Sequence, residues 1–426
     1  MSKQYEKWRK ALESTFPWIA DTVETCLSVV SLLWFDNVQL PFALVLVCRP
    51  AGWKTTALSC IDEKILDFVY YTDAFTPKAF VTHMPDKSKK TLSKIDLLPR
   101  IQDKVFIVPE LAPIFTQEKD RLMQIFGVLT RILDGQGYTS DSGAQGRRGY
   151  RKKIKFMWLA ATTPIPYRVW DVMATLGTKI YFLHVPETIW SSDQQLQWFI
   201  EDTYHVRMEK AQKATAEFLL YLKEQTPIKW IKKNDPIDVL KVIQNLSWML
   251  ARLRGKVNVA TKTVFDEMGR ERVAVHTTPV IEDPMRAFIM LHTLAAGHAF
   301  IRGRRQLSEE DIPYIIEVAL SSAPKDRVEA FKALLRNGGV LTSNRLMQVT
   351  RCSRHTAIRA IKTLSILRLA QDIGETISGR EITAHIRKDM RWCLDDKYMQ
   401  TWGAKRTPKK PTKHREKGEL NIFENA

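Results

Sequence analysis

Residues 40–58, LPFALVLVCRPAGWKTTAL, pass from an unbroken apolar segment through a short turn into a helix-forming one. Six apolar residues from Phe42 to Val47 predict a buried strand, and Pro50 and Gly52 predict the turn that ends it. Lys54, Thr55 and Thr56 then open a helix. A strand, a tight loop and a helix in that order can gather phosphate: loop N–H groups cradle it, a lysine reaches its oxygens and a hydroxyl holds Mg²⁺. Pro50, Ala51, Gly52 and Trp53 would supply the loop, Lys54 the amine and Thr55 the hydroxyl, with Thr56 beside them. Against the pattern G-x-x-x-x-G-K-[ST], Cys48 and Trp53 stand where glycines belong, and Gly52 comes one place early. The same residues also read as a buried strand turning into a helix with an incidental Lys-Thr.

The chain has 426 residues, which suggests two or three domains, and 45% apolar residues, enough for ordinary cores. A net charge of +18 calls for an acidic partner. Nucleic acid is the commonest such partner, although charge alone leaves anionic lipid open. Cys26, Cys48, Cys60, Cys352 and Cys393 show no metal-like spacing and fit reduced thiols. With no signal-peptide core and no apolar run of membrane-spanning length, a cytoplasmic protein without membrane attachment is expected.

Upstream, residues 1–37 carry apolar positions at helical spacing and predict one or two amphipathic helices packed on the α/β domain. Downstream, KVFIVPEL (104–111) predicts a second strand, closed by Glu110. In a parallel α/β sheet the ligand sits at the carboxyl ends of strands, where a glutamate can polarise an attacking water. Pro109 occupies the neighbouring position, where an aspartate helping to hold Mg²⁺ is usual. A helix is expected over 118–133, then a glycine-rich basic hairpin or loop with Arg147, Arg148, Arg151, Lys152 and Lys153, suited either to a nucleic-acid backbone or to solvent. FMWLAATTP (156–164) predicts a third strand ending on Thr162 and Thr163, polar groups able to orient water.

This order of motifs resembles that of AAA+ ATPases, and more narrowly the minichromosome-maintenance-like members of the helicase clade found in phages and mobile elements. The resemblance spans about residues 40–320. It implies ATP and Mg²⁺ as ligands, a DNA-contacting hairpin before the third strand, and a residue completing the neighbouring subunit's site. Lys179 stands where that residue is usually an arginine, with Arg168 as a substitute. DPMR (283–286) followed by LHTLAAGHAF resembles the family's sensor helix, with Arg286 at the arginine position and His298-Ala299 at the spacing of its "AHA" signature. The resemblance therefore implies catalytic or sensing roles for Glu110, Thr162, Thr163, Lys179 and Arg286, and a homo-oligomeric ring or partial ring.

From Lys325 the pattern becomes three short helices and a hairpin, a winged helix-turn-helix reading. Ser353 caps the expected recognition helix, and Arg354, His355, Thr356 and Arg359 lie where DNA would be met. Protein contact is the other use of such a module. The expected architecture is α/β: a helical segment 1–37, a P-loop parallel-sheet AAA+ core 38–190, an α-helical lid 191–324, a winged helix 325–402 and a basic disordered tail 403–426. The function expected is that of an ATP-dependent DNA motor, with a nucleotide-binding initiator, loader or regulator of little hydrolytic activity as the alternative. Cys48, Trp53, Pro109 and Lys179 favour the latter.

Overall fold

The fold is that of a computed structural model, which describes residues 2–84, 88–143, 146–177, 179–265, 271–375, 381–399 and 402. Two helices lead in, α1 (Lys3–Glu13) and α2 (Ala20–Ser31). The α/β part comes next as β1 (Phe42–Val47), α3 (Lys54–Ser59), β2 (Val69–Tyr71), α4 (Lys89–Ile95), α5 (Leu97–Ile101), β3 (Val105–Val108), α6 (Ala112–Phe115) and α7 (Lys119–Ile132). It continues as β4 (Tyr138–Ser142), β5 (Gly146–Tyr150), β6 (Met157–Thr162), α8 (Tyr167–Leu176) and β7 (Ile180–His184).

Five of these strands form one parallel sheet in the order β2-β3-β6-β1-β7. Strands β1 and β6 are buried along their whole length, as expected where helices cover both faces. Alternation sorts their side chains into two cores. Leu44, Leu46, Ile107, Leu159 and Leu183 join a core shared with α2 and the later helices. Val45, Val47, Val108, Trp158 and Phe182 join a second one closed by α5, α7 and α8.

The amphipathic expectation for α2 does not hold: eleven of its twelve residues are buried. It lies between the sheet and a later helix, so both of its faces are buried, with polar Thr22, Glu24, Thr25, Ser28 and Ser31 among the covered residues. Beyond the sheet come α9 (Ser192–Glu201), α10 (Tyr204–Glu224), α11 (Ile237–Arg254), the ribbon β8 (Lys256–Phe265) and β9 (Glu271–Val280), α12 (Pro284–Ile301) and α13 (Ile312–Ser321). The ribbon pairs ten residues with ten, inside the stretch 191–324 for which an α-helical lid is expected.

The last segment holds α14 (Lys325–Arg336), β10 (Val340–Thr342), α15 (Ser343–Thr350), α16 (Arg354–Ile366), β11 (Ala370–Glu375), β12 (Ile382–Ile386) and α17 (Asp396–Met399). Its three strands form an antiparallel sheet ordered β10-β12-β11. Buried Arg327 ties it to the bundle by donating to the carbonyls of Leu253 (3.0 Å) and Gly255 (2.6 Å). No described helix is long and apolar enough to cross a membrane. The basic tail, residues 403–426, lies outside the described residues.

Candidate phosphate-binding site

Because β3, β6 and β1 are parallel neighbours, the loops leaving their carboxyl ends emerge at one edge of the sheet. β1 and β6 are also neighbours whose connections leave in opposite directions, β1 towards β2 and β6 towards β7, and such a point leaves a crevice for ligand. The loop from Cys48 to Trp53 leaves β1 there, beside the end of β6, where the Cys48 N–H donates to the Thr162 carbonyl at 3.2 Å.

Gly52 is required by close approach: a Cβ there would fall 2.1 Å from Cys48 Sγ. The left-handed positions on either side belong to Ala51 (φ 59°) and Trp53 (φ 67°). A tryptophan in that region is an outlier that its surroundings must hold in place. The Trp53 ring packs against Trp18 and Trp198, at centroid distances of 5.1 and 5.9 Å, and against Trp190 and Phe16. The indole is thus held in an aromatic cluster, while the Gly52 N–H donates to the Arg49 carbonyl within the turn at 3.1 Å. Trp18 and the pair Trp190 and Trp198 come from segments far apart in the chain and carry no motif, so only the fold reveals the cluster. Trp53, Trp190 and Trp198, with Thr188 and Glu187, also line a cavity of about 250 Å³ against the loop.

Lys54 is buried, 7% exposed, and its Nζ lies 3.2 Å from Glu110 Oε2. Glu110 falls just past β3 rather than on it, and its Oε1 accepts from the Ala112 N–H at 2.9 Å. That bond fixes the carboxylate while leaving it half-exposed. Thr55 is exposed, Thr56 is buried with Oγ1 3.4 Å from the Tyr204 hydroxyl, Thr162 is buried and Thr163 is half-buried. Arg168, at the start of α8 on this same edge, donates to the Thr116 carbonyl at 2.6 Å. Lys54, Thr55, Glu110, Thr162 and Thr163 are thus brought to one edge.

Lys179 and Arg286 are brought together elsewhere. Lys179 precedes β7, so it lies at the opposite edge of the sheet, where it bonds the Asp134 carboxylate and donates to the Thr130 carbonyl at 3.0 Å. Burial lowers its pKa, with Asp134 opposing and Arg286 adding to the shift. Arg286 reaches the same carboxylate oxygen at 3.0 Å, and Arg131 approaches Asp134 at 3.8 Å. Neither Lys179 nor Arg286 reaches the 48–53 loop of its own chain from there. Asp134, which gathers them, has no sequence signal.

The basic segment is a hairpin, β4 paired with β5, at that same far edge. Arg148 does not face outward. Its Nη2 lies 2.9 Å from fully buried Asp96, which also accepts from the Tyr150 hydroxyl at 2.7 Å and the Thr82 N–H at 2.7 Å. The reason is strand alternation: Arg148 and Tyr150 share the inner face, so Arg147 points out. Arg151, Lys152 and Lys153 are exposed as well. In the last segment Ser353 caps α16, accepting from the Thr356 N–H at 3.3 Å. Arg354, His355, Thr356 and Arg359 are exposed along its first turns.

His298 has a packing role. It lies buried between Glu24 of α2 (3.1 Å) and Asp311 (2.6 Å), with Arg302 on Glu24 and Arg304 on Asp311. Burial opposes ionisation of Glu24, but hydrogen bonds from His298 and Arg302 outweigh it and hold its pKa at about 2. Among the described residues no His, Cys, Asp or Glu group has metal-binding composition, so a divalent ion would depend on Thr55, Glu110 and the phosphate itself.

No known protein family and no curated protein matches this chain in sequence.

Proposed function

We propose that the chain is a nucleotide-driven AAA+-type protein, an ATPase that acts on DNA as a homo-oligomer. The observation that carries the reading is the pairing of buried Lys54 with half-exposed Glu110 at the carboxyl edge of a parallel sheet, directly behind a strand-loop-helix turn. An amine this buried, with one carboxylate for company, is suited to exchange that partner for a phosphate. Lys54 would then hold phosphate oxygens, the loop N–H groups would cradle them and Thr55 would complete a Mg²⁺ site. Mg²⁺, when bound, would neutralise charge building up on the phosphate oxygens. Glu110, released from Lys54 and still held by the Ala112 N–H, would accept the proton of an attacking water, with Thr162 or Thr163 fixing that water's position. The tryptophan-lined cavity is suited to the base.

Lys179 and Arg286 support the oligomer, because they present cations at the edge away from their own phosphate loop. A second copy would bring its loop to them. Exposed Phe199 and Ile200 on α9, with no α9 residue buried, also favour a covered face. DNA binding rests on exposed Arg147, Arg151, Lys152 and Lys153 and on a winged-helix reading of the last segment, with Arg354, His355, Thr356 and Arg359 leading.

The test is steady-state ATP hydrolysis by wild type, Lys54→Ala and Glu110→Gln, with and without single- and double-stranded DNA. DNA-stimulated turnover, lost in both variants while Glu110→Gln still binds nucleotide, supports the motor. Binding without turnover in wild type supports a switch, initiator or loader, the reading that the strained Trp53 turn favours. No nucleotide binding at all refutes both.

A further inference from the structure

A second cavity, of about 190 Å³, opens between residues 35–40 and α12. It lies at the sheet edge where β1 begins, away from the phosphate loop. Phe35, Leu40 and Trp230 give it apolar walls, and His292 forms part of its lining. The His292 Nε2 is 2.8 Å from Asp235, whose carboxylate also accepts from the Trp230 indole at 3.0 Å and the Leu307 N–H at 3.0 Å. With three donors converging on Asp235, Nε2 carries the imidazole proton when the ring is neutral. Nδ1 is then an acceptor, and it has no partner among the described residues. The cavity therefore suits a flat apolar group that offers an N–H.

Its mouth lies between two basic banks. On one side the exposed run Arg151, Lys152 and Lys153 leaves the hairpin, and Lys153 Nζ bonds the rim residue Gln39 at 2.7 Å. On the other, Lys229, Lys232 and Lys233 are exposed, with Lys232 in the lining itself. A flat group with an N–H and flanking negative charge is a nucleobase on its phosphate backbone. The volume is below the ~300–1,000 Å³ of pockets that enclose a whole drug-sized ligand, so one base fits with sugar and phosphate outside.

We propose that this cavity takes a single unstacked base of a nucleic-acid strand laid between the 151–153 and 229–233 banks. The inference rests on the DNA-binding reading but not on ATP hydrolysis. A free mononucleotide shares the chemistry but lacks the neighbouring phosphates that both banks would bind.

The test uses the full chain and a 20-nucleotide single-stranded DNA with one 2-aminopurine, without ATP. The variants are Thr293→Phe, which fills the mouth from the exposed side of α12, and Lys152→Ala as a backbone-contact control; circular dichroism checks their folds. Wild type should bind and change the 2-aminopurine emission. Thr293→Phe should abolish that change and weaken binding about ten-fold, within the range for one stacked base. Lys152→Ala should weaken binding while keeping the emission change in the bound state. If the folded Thr293→Phe protein binds like wild type with the same emission change, the cavity takes no base. Competition by free mononucleotide at equal concentration would overturn the strand assignment. Should wild type bind no single strand, the inference falls together with the DNA reading, whereas ATPase failure alone leaves it standing.

Discussion

Trp53 shows how one residue can break a motif and keep its geometry. The left-handed backbone costs an ordinary residue roughly 1–2 kcal/mol, and the aromatic neighbours offset it. Because the ring borders the cavity against the 48–53 loop, the proposed nucleotide binding predicts that ATP changes the intrinsic tryptophan emission and that Trp53→Phe reduces that change; a titration of both proteins reads it. Arg147 and Arg148 are adjacent in sequence and opposite in environment. Arg148→Ala leaves Asp96 buried without its cation and should cost about 3–5 kcal/mol in a urea melt. Arg147→Ala should leave the melt unchanged and weaken DNA binding, with a smaller dependence on salt. Sequence alone treats the two as one basic patch, because strand register is needed to separate them.

At the scale of elements, α2 and α12 are joined by the Glu24–His298–Asp311 chain. Glu24 has a folded pKa of about 2 against an ordinary 4.5, so its contribution is complete above pH ~4.5 and is lost as the pH falls towards 2. The shift corresponds to about 3 kcal/mol at neutral pH. Urea unfolding of wild type and Glu24→Gln at pH 7 and pH 3 should show the gap between them shrinking at the lower pH. A gap independent of pH would mean that packing, not charge, is lost. Edge strand β7 has a different device: the Phe182 and His184 N–H groups donate to Ser322 Oγ (2.8 Å) and Ser321 Oγ (3.0 Å) at the end of α13. These bonds occupy an edge otherwise open to pairing. Ser322→Ala orphans a buried donor and should cost ~1–3 kcal/mol, with faster exchange of the Phe182 amide as the local signature.

Over the whole molecule, the boundary at residue 37 separates segments that share a core. Tyr5, Trp8 and Leu27 belong to the same cluster as Leu44 and Leu159 of the sheet and Leu291 of α12. A fragment of residues 38–190 would expose one full face of the sheet, so it should show no cooperative thermal transition, whereas residues 1–324 should. The last segment is held by Arg327 and by Arg252, which bonds Asp389 at 2.7 Å and the Arg368 carbonyl at 2.9 Å. It is therefore packed on the bundle and does not hang from a linker.

Sequence by itself determined the local events here. Apolar runs of strand length set β1, β3 and β6, the Pro50–Gly52 turn set the loop, and Ser353 set the start of α16, each through covalent geometry and short-range hydrogen bonding. Tertiary structure decided what those elements meet. The parallel order brings Lys54 to Glu110 and carries Lys179 and Arg286 to the opposite edge, around Asp134. Packing on both sides buries α2 all round, charged Glu24 included, and separate segments assemble the tryptophan cluster and the His292 cavity. Such contacts join residues tens to hundreds of positions apart, and no periodicity or spacing along the chain encodes them.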